Sequence, residues 1–155
     1  MEPKELDARL KQYNDIMKEN DELYREAAKR SGFSECEFWI LYYLRTEYGE
    51  PMQSGICNSF YLPKQSIHSA LKKLEADGYI MQGAGENKRS KRIALTEQGK
   101  MLCGRTVDQV IEAEQRALGS LSEEEQEAFM NIFDKYTEQL KKNMRVIPGK
   151  GGSIR

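Results

Sequence analysis

The sequence predicts a mainly α-helical chain with a small β wing of two to three strands near its middle. Three observations carry that prediction. Apolar residues recur at helical spacing along most of the chain. The period changes once, after Gly78, to one that suits short strands. Residues that start and stop helices fall at the breaks between these stretches. The 155 residues suffice for one ordinary domain, so residues 1–155 are read as a single unit.

The first helix runs from about Lys4 to Lys29. Leu6, Leu10, Tyr13, Met17 and Leu23-Tyr24 recur along it, and no Gly or Pro interrupts. Ser34 then precedes Glu37 by three residues, the signature of a capping box. The run Phe38-Trp39-Ile40-Leu41-Tyr42-Tyr43-Leu44 follows on a largely buried helix that Gly49-Glu50-Pro51 stops. A short helix from about Gln53 to Ser59 buries Ile56, Cys57 and Phe60.

Pro63 can open the next helix at its first position, where its missing N–H costs nothing. That helix continues through Asp77, with Gly78 as its left-handed cap. Ile67, Leu71 and Leu74 form its inward stripe. Lys64, Gln65, His68, Ser69 and Lys72 fall on the opposite side, so one face is apolar and the other can hydrogen-bond. Tyr79-Ile80-Met81 and Arg92-Ile93-Ala94-Leu95 read as strands around the loop Gly83-Ala84-Gly85-Glu86-Asn87. Lys88, Arg89, Lys91 and Arg92 make the tip of this ribbon basic. Thr96 begins a long helix with Leu102, Val107, Val110, Ile111 and Leu118 as apolar positions. Ser122 and Glu125 form a second capping box, opening a last helix with Phe129, Ile132, Phe133, Tyr136 and Leu140. Residues 147–155, with Pro148-Gly149-Lys150-Gly151-Gly152, read as a flexible tail.

The net charge of −1 hides a division along the chain. Residues 1–61 carry 8 Lys/Arg and 12 Asp/Glu, and residues 62–105 carry 9 against 4. Residues 106–140 carry 2 against 9, and residues 141–155 carry 5 against none. A basic block in an acidic frame is the footprint of a nucleic-acid reader, although solvated faces also cluster charge.

Composition excludes several classes. At 39% hydrophobic residues, with a mean hydropathy of −0.75, no window reaches the roughly 18 apolar residues of a membrane helix. Cys36, Cys57 and Cys103 are scattered, with no CxxC and no nearby histidine, so neither a disulfide framework nor a metal site is expected. No cofactor is expected, and the thiols point to a reducing, cytoplasmic setting. With His68 as the one histidine and no G-x-S-x-G or phosphate loop, nothing assembles a catalytic set, and no enzyme is expected.

Three helices followed by a ribbon, from Ser34 to Leu95, make a winged helix-turn-helix. Two segments of it resemble regulators of the multiple-antibiotic-resistance (MarR) type. The recognition helix ends in Leu74-Glu75-Ala76-Asp77-Gly78-Tyr79-Ile80, and the wing closes on Leu95-Thr96-Glu97-Gln98-Gly99. The resemblance covers about residues 34–105 closely, while the flanking helices match by order and length. It implies a DNA-binding lobe at 34–100 between dimerisation helices at 1–30 and 100–146.

It also implies a homodimeric, sequence-specific regulator of double-stranded DNA, acting as a repressor that a ligand or oxidant releases from a palindromic operator.

Two departures bear on the site. The Asp-x-Arg triplet usual in the family's wing is here Asn87-Lys88-Arg89, so Arg89 lacks its ion pair. The helix start Leu62-Pro63-Lys64-Gln65 differs from the family's Ser-rich start. With the helix in the major groove, Gln65 suits an adenine edge and Lys64 a guanine or phosphate. Ser66, His68 and Ser69 suit bases or phosphates, and Lys72 suits the backbone. Lys88, Arg89, Lys91 and Arg92 suit the adjacent minor groove.

Family members bind small aromatic ligands between the dimerisation helices and the lobe. Tyr13, Phe33, Trp39, Tyr42 and Tyr43 could line such a pocket or equally fill the core. Cys36, in the first turn of a helix, is the redox candidate, with all three cysteines as small hydrophobes the plainer reading. The alternative to a DNA reader is a winged-helix module that binds another protein.

Overall fold

The computed structural model describes residues 3–47, 51–60, 62–83 and 91–150. Its helices are α1 (Pro3–Ser31), α2 (Glu35–Thr46), α3 (Gln53–Phe60), α4 (Lys64–Ala76), α5 (Glu97–Arg105), α6 (Val107–Gly119) and α7 (Glu123–Met144). Strands β1 (Ile80–Gln82) and β2 (Ile93–Leu95) lie between α4 and α5. Where length predicts one domain, the chain forms two compact units, residues 1–111 and 112–155.

The core of the first unit is built largely by the residues whose spacing marked them, but Cys103, which no spacing marked, is buried where Leu102 is half-buried. Phe38, Ile40 and Leu41 of α2, Ile56 of α3, and Ile67, Leu71 and Leu74 of α4 are buried, with Ile80, Ile93, Cys103 and Val107. Cys57 is half-buried rather than buried, and the Phe60 side chain is not described. Helix α2 begins with the expected capping box. The Ser34 N–H donates to Glu37 Oε2 at 2.7 Å, and the Glu37 N–H donates to Ser34 Oγ at 3.2 Å.

Glu37 has a second partner, which ties α2 to α4. Its Oε1 lies 3.0 Å from Lys73 Nζ, and its side chain is only 4% exposed. Burial alone would raise its carboxyl, but the Ser34 hydrogen bonds and the Lys73 ammonium outweigh that and hold it below the ordinary glutamate value. A depressed folded value contributes stability that is full above the unfolded range and is lost as pH falls through the folded value. Glu37→Gln keeps the capping geometry and removes the charge. Urea unfolding should show a loss of about 1 kcal/mol at pH 7, with the difference from the parent shrinking below about pH 4.

Pro63 does not open α4 at its first helical position. It is the N-cap residue, with ψ at 130°, and its carbonyl accepts the Ile67 N–H at 3.1 Å. The C-terminus follows expectation: Gly78 has φ at 83°, and the Gly78 and Tyr79 N–H groups donate to Glu75 and Leu74.

The wing pairs antiparallel, with Ile80 opposite Leu95 and Gln82 opposite Ile93. Its strands start one residue later than the sequence suggests. Arg92 instead bridges to Met52, giving the ribbon a short third partner. Residues 84–87 of the expected loop lie outside the described residues.

The long helix expected from Thr96 is two helices, broken at Thr106, whose φ and ψ are −131° and −89°. At the break Thr106 Oγ1 donates to the Leu102 carbonyl at 2.7 Å, the acceptor that its own N–H would use in a helix. That N–H donates to Cys103 instead, and the Gln109 side chain covers the Gly104 carbonyl. Just beyond the break, Arg45 of α2 donates bidentately to Asp108 at 2.7 and 2.6 Å.

Helix α1 buries only Ala28, leaving Leu6, Leu10, Ile16 and Leu23 exposed. In the second unit, α7 starts on the expected Ser122–Glu125 capping box and buries none of its residues. Phe129 and Phe133 stack at 5.9 Å on its exposed surface. Residues 151–155 of the expected tail lie outside the described residues.

Candidate nucleic-acid interface

Helix α4 carries its apolar stripe inward and its polar residues outward. At about 100° per residue, Ile67, Ala70, Leu71 and Leu74 point into the core, while Gln65, Ser69 and Lys72 share the outward arc. Lys64, Gln65, Ser66, Ser69 and Lys72 are exposed, and His68 is half-buried. Lys64 and His68 flank this arc on the side of α3. Ser66 falls on the other flank with Lys73, which is engaged by Glu37. The arc is held rigidly, since the opposite face of the same helix is sealed in the core.

Between α3 and α4 lies a hollow of about 380 Å³, lined by Gln53, Ser54, Cys57, Asn58, Lys64, Gln65 and His68. It brings Lys64, Gln65 and His68 together with three polar residues of α3 that the sequence reading passed over. Ser54 and Asn58, four apart on a helix, were the available signal.

The wing's position is fixed by hydrogen bonds rather than by a large core. The Gly83 N–H donates to Arg92, the Ile93 N–H donates to Pro51, and Glu75 of α4 accepts the Gln82 N–H at 3.1 Å. Lys91 is half-buried and Arg92 exposed, on the strand that returns from the tip. Lys88 and Arg89 lie outside the described residues.

The turn after the wing explains why its two glycines stand where they do. Thr96 Oγ1 donates to the Gly78 carbonyl at 2.6 Å and accepts the Gly99 N–H at 3.0 Å, while the Thr96 N–H donates to Tyr79. One threonine thus joins the end of α4 to the start of α5. A Cβ on Gly99 would overlap the Tyr79 carbonyl, so only glycine fits.

The aromatic candidates divide. Tyr43 is buried in the core, with its hydroxyl close to Gly55. Tyr42 packs edge-on to Trp39 at 5.3 Å. Trp39 and Tyr24, 5.1 Å apart, line a hollow of about 190 Å³ with Asp21, Arg25 and Glu35, and Phe33 lines a separate hollow of about 560 Å³. Tyr13 is half-buried on α1 and lines neither.

Cys36 does not have the lowered pKa expected at a helix start. Burial pushes its thiol up, and the neighbouring Glu37 and Cys57 add to the shift. Burial likewise raises Cys103 to about 11. Both therefore stay protonated at neutral pH, against a role as activated thiols. Among the described residues, no group of His, Cys, Asp and Glu could hold a metal ion, and no helix is long and apolar enough to cross a membrane.

Residues 33–99 match the family model described as "Winged helix DNA-binding domain". The chain is similar to the uncharacterized HTH-type transcriptional regulator YwoH of Bacillus subtilis (strain 168). They are 26% identical over 108 residues, 70% of this chain and 78% of that protein. Among solved structures it resembles NMB1585, a MarR family regulator from Neisseria meningitidis, with a TM-score of 0.73 and 24% identity, covering 88% of this chain and 96% of that one. It also resembles the S. aureus MepR–DNA complex, with a TM-score of 0.65 and 22% identity, covering 85% and 97%. Residues 33–99 are thus a winged-helix domain, and the chain that carries them has the fold of the MarR family regulators.

Proposed function

We propose that the protein is a MarR-type transcriptional regulator that binds double-stranded DNA as a homodimer. The observation that carries this is the outward arc of α4, where Gln65, Ser69 and Lys72 stand exposed on a helix whose other face is sealed in the core. In this reading α4 enters the major groove, Gln65 reads a base edge, and Lys64 and Lys72 hold phosphates. Ser66, His68 and Ser69 supply further polar contacts, and Lys88, Arg89, Lys91 and Arg92 of the wing meet the adjacent minor groove. The solved MepR–DNA complex on the same fold supports the reading. The proposed role is that of a cytoplasmic repressor, without catalytic activity of its own, released from a palindromic operator by a small aromatic ligand. Trp39 and Phe33, which open onto hollows, are the residues that support a ligand site. Selection of bound genomic fragments tests the function. A single enriched palindrome is expected, and recovery of no preferred sequence would favour the protein-binding module.

Dimerisation is proposed from the two helices that leave apolar residues uncovered. Leu6, Leu10 and Leu23 of α1, and Phe129, Ile132 and Phe133 of α7, are exposed in the single chain. Two-fold pairing through such surfaces would present two α4 helices to successive turns of DNA. Light scattering should give twice the 17.9 kDa chain mass at micromolar concentration, and a monomer would contradict the assembly.

A further inference from the structure

The chain leaves the winged-helix lobe through a short seam at the start of α6. Val107 there is fully buried, and Val110 and Ile111 pack half-buried against the same core. These three lie at i, i+3 and i+4, so one face of the first turns of α6 grips the lobe. Beyond Ile111 every residue of α6 is exposed except Glu114, which is half-buried. No regular helix runs across Thr106, so α5 alone does not set the direction of α6.

A bidentate ion pair crosses this seam. Arg45 of α2 donates through two nitrogens to both carboxylate oxygens of Asp108, at 2.7 and 2.6 Å. The two side chains are 34% and 22% exposed, so water screens them less than it screens exposed neighbours on one helix such as Lys11 and Asp15. Each partner also suits its own helix. Arg45 stands in the last turn of α2 and Asp108 in the first turn of α6, where a cation and an anion complement the helix ends. The pair thus joins the end of one helix to the start of another, and its planar fork fixes direction as well as distance. Cys103, the last buried residue before the break, senses both charges. Burial does most to raise its thiol, Asp108 adds to the rise, and Arg45 opposes it.

We propose that Arg45 and Asp108 are positioning residues for DNA recognition: their clasp sets the direction in which α6 leaves the lobe, and through it the half-site spacing that a dimer accepts. The proposal rests on the reading of the protein as a dimer that inserts α4 into DNA. Neither residue belongs to α4 or the wing, so in that reading neither contacts DNA. Spacing is the sensitive quantity. The 13 residues of α6 span about 20 Å, so a tilt of about 10° at its start would move its far end by about 3.5 Å, close to the rise of one base pair. The chain continues from α6 into α7, whose exposed Phe129, Ile132 and Phe133 form part of the proposed pairing surface. An error in the direction of α6 would therefore become an error in the separation of the two α4 helices.

A series of duplexes tests this with the full chain. The two halves of the operator selected from genomic fragments are set at their native separation, one base pair closer, and one or two base pairs further apart. A single half-site serves as the reference. Fluorescence anisotropy of the parent should show at least about tenfold weaker binding when one base pair is added or removed, comparable to the loss from one mismatch. Asp108→Asn keeps the shape and removes the charge. It should reduce that preference about threefold, within the range of one partly exposed ion pair, and leave half-site affinity as in the parent. Arg45→Gln should do the same, and it carries the test if Asp108→Asn does not fold. The double variant should be no worse than either single one, since both remove one interaction. Variants that keep the parent's spacing preference, or that weaken every duplex and the half-site by the same factor, overturn the proposal and leave the reading of α4 intact. Effects that add in the double variant overturn the pair as their cause. A parent that binds without regard to spacing, or binds no duplex, overturns the reading as a dimeric DNA reader and the role of the clasp with it.

Discussion

Gly99→Ala should cost the winged-helix lobe at least about 3 kcal/mol, and in a domain of ordinary stability it should leave a large unfolded fraction at 37 °C. The added Cβ would overlap the Tyr79 carbonyl oxygen, and neither partner can yield. Tyr79 is fixed by its hydrogen bonds to Leu74 and Thr96, and Gly99 by its hydrogen bond to Thr96 Oγ1. Relief requires the first turn of α5 to move away from Tyr79, which breaks the Thr96 hydrogen bonds to Gly78 and Gly99. Gly104 in the same helix is the control, since a Cβ there meets nothing within 4 Å. Gly104→Ala should be neutral or stabilise by up to about 1 kcal/mol through helix propensity. Urea unfolding of the two variants checks the contrast, and equal effects would mean that the close approach at Gly99 is not what the turn depends on.

The second large effect separates the faces of α4 with neighbouring residues. Leu71 is fully buried, so Leu71→Ala should cost about 2–5 kcal/mol of stability through lost burial and the cavity left behind. Lys72, one position on, is exposed and has no place in the core. Lys72→Ala should leave the unfolding midpoint within error. It should weaken binding to specific and scrambled DNA alike and lower the salt dependence of log K by about one unit. The assignment of the two faces fails if Lys72→Ala destabilises the fold or if Leu71→Ala is tolerated.

Much of this lobe was legible because its signals are local. Ser34 and Glu37, Ser122 and Glu125, and Gly78 each act within a few residues; the first two pairs open helices and Gly78 closes one, as their spacing predicts. The inward stripe of α4 was legible for the same reason, since one helical period fixes it. What was missed depends on competition or on distance. The break at Thr106 leaves no trace in the apolar pattern, which runs across it through Leu102, Val107 and Val110. The Glu37–Lys73 and Arg45–Asp108 pairs join residues 36 and 63 positions apart. The upward shift at Cys36 runs against the expectation for a helix start, because burial and the charge of Glu37 raise its thiol. In the site, the exposed row on α4 was readable, but the participation of Gln53, Ser54 and Asn58 required knowing how closely α3 lies against it.

The most direct test of α4 as the reading helix is the response of Gln65→Ala to DNA sequence. Gln65 is exposed on the outward arc and carries no charge, so its contribution should be to specificity alone. Fluorescence anisotropy would measure the variant and the parent on the selected operator and on a scrambled duplex, across several salt concentrations. The expected result is a loss of about 1–3 kcal/mol on the operator, relaxed preference at one base position, and unchanged affinity and salt slope on scrambled DNA. Equal weakening on both duplexes, or no change on the operator, would contradict the placement of α4 in the major groove.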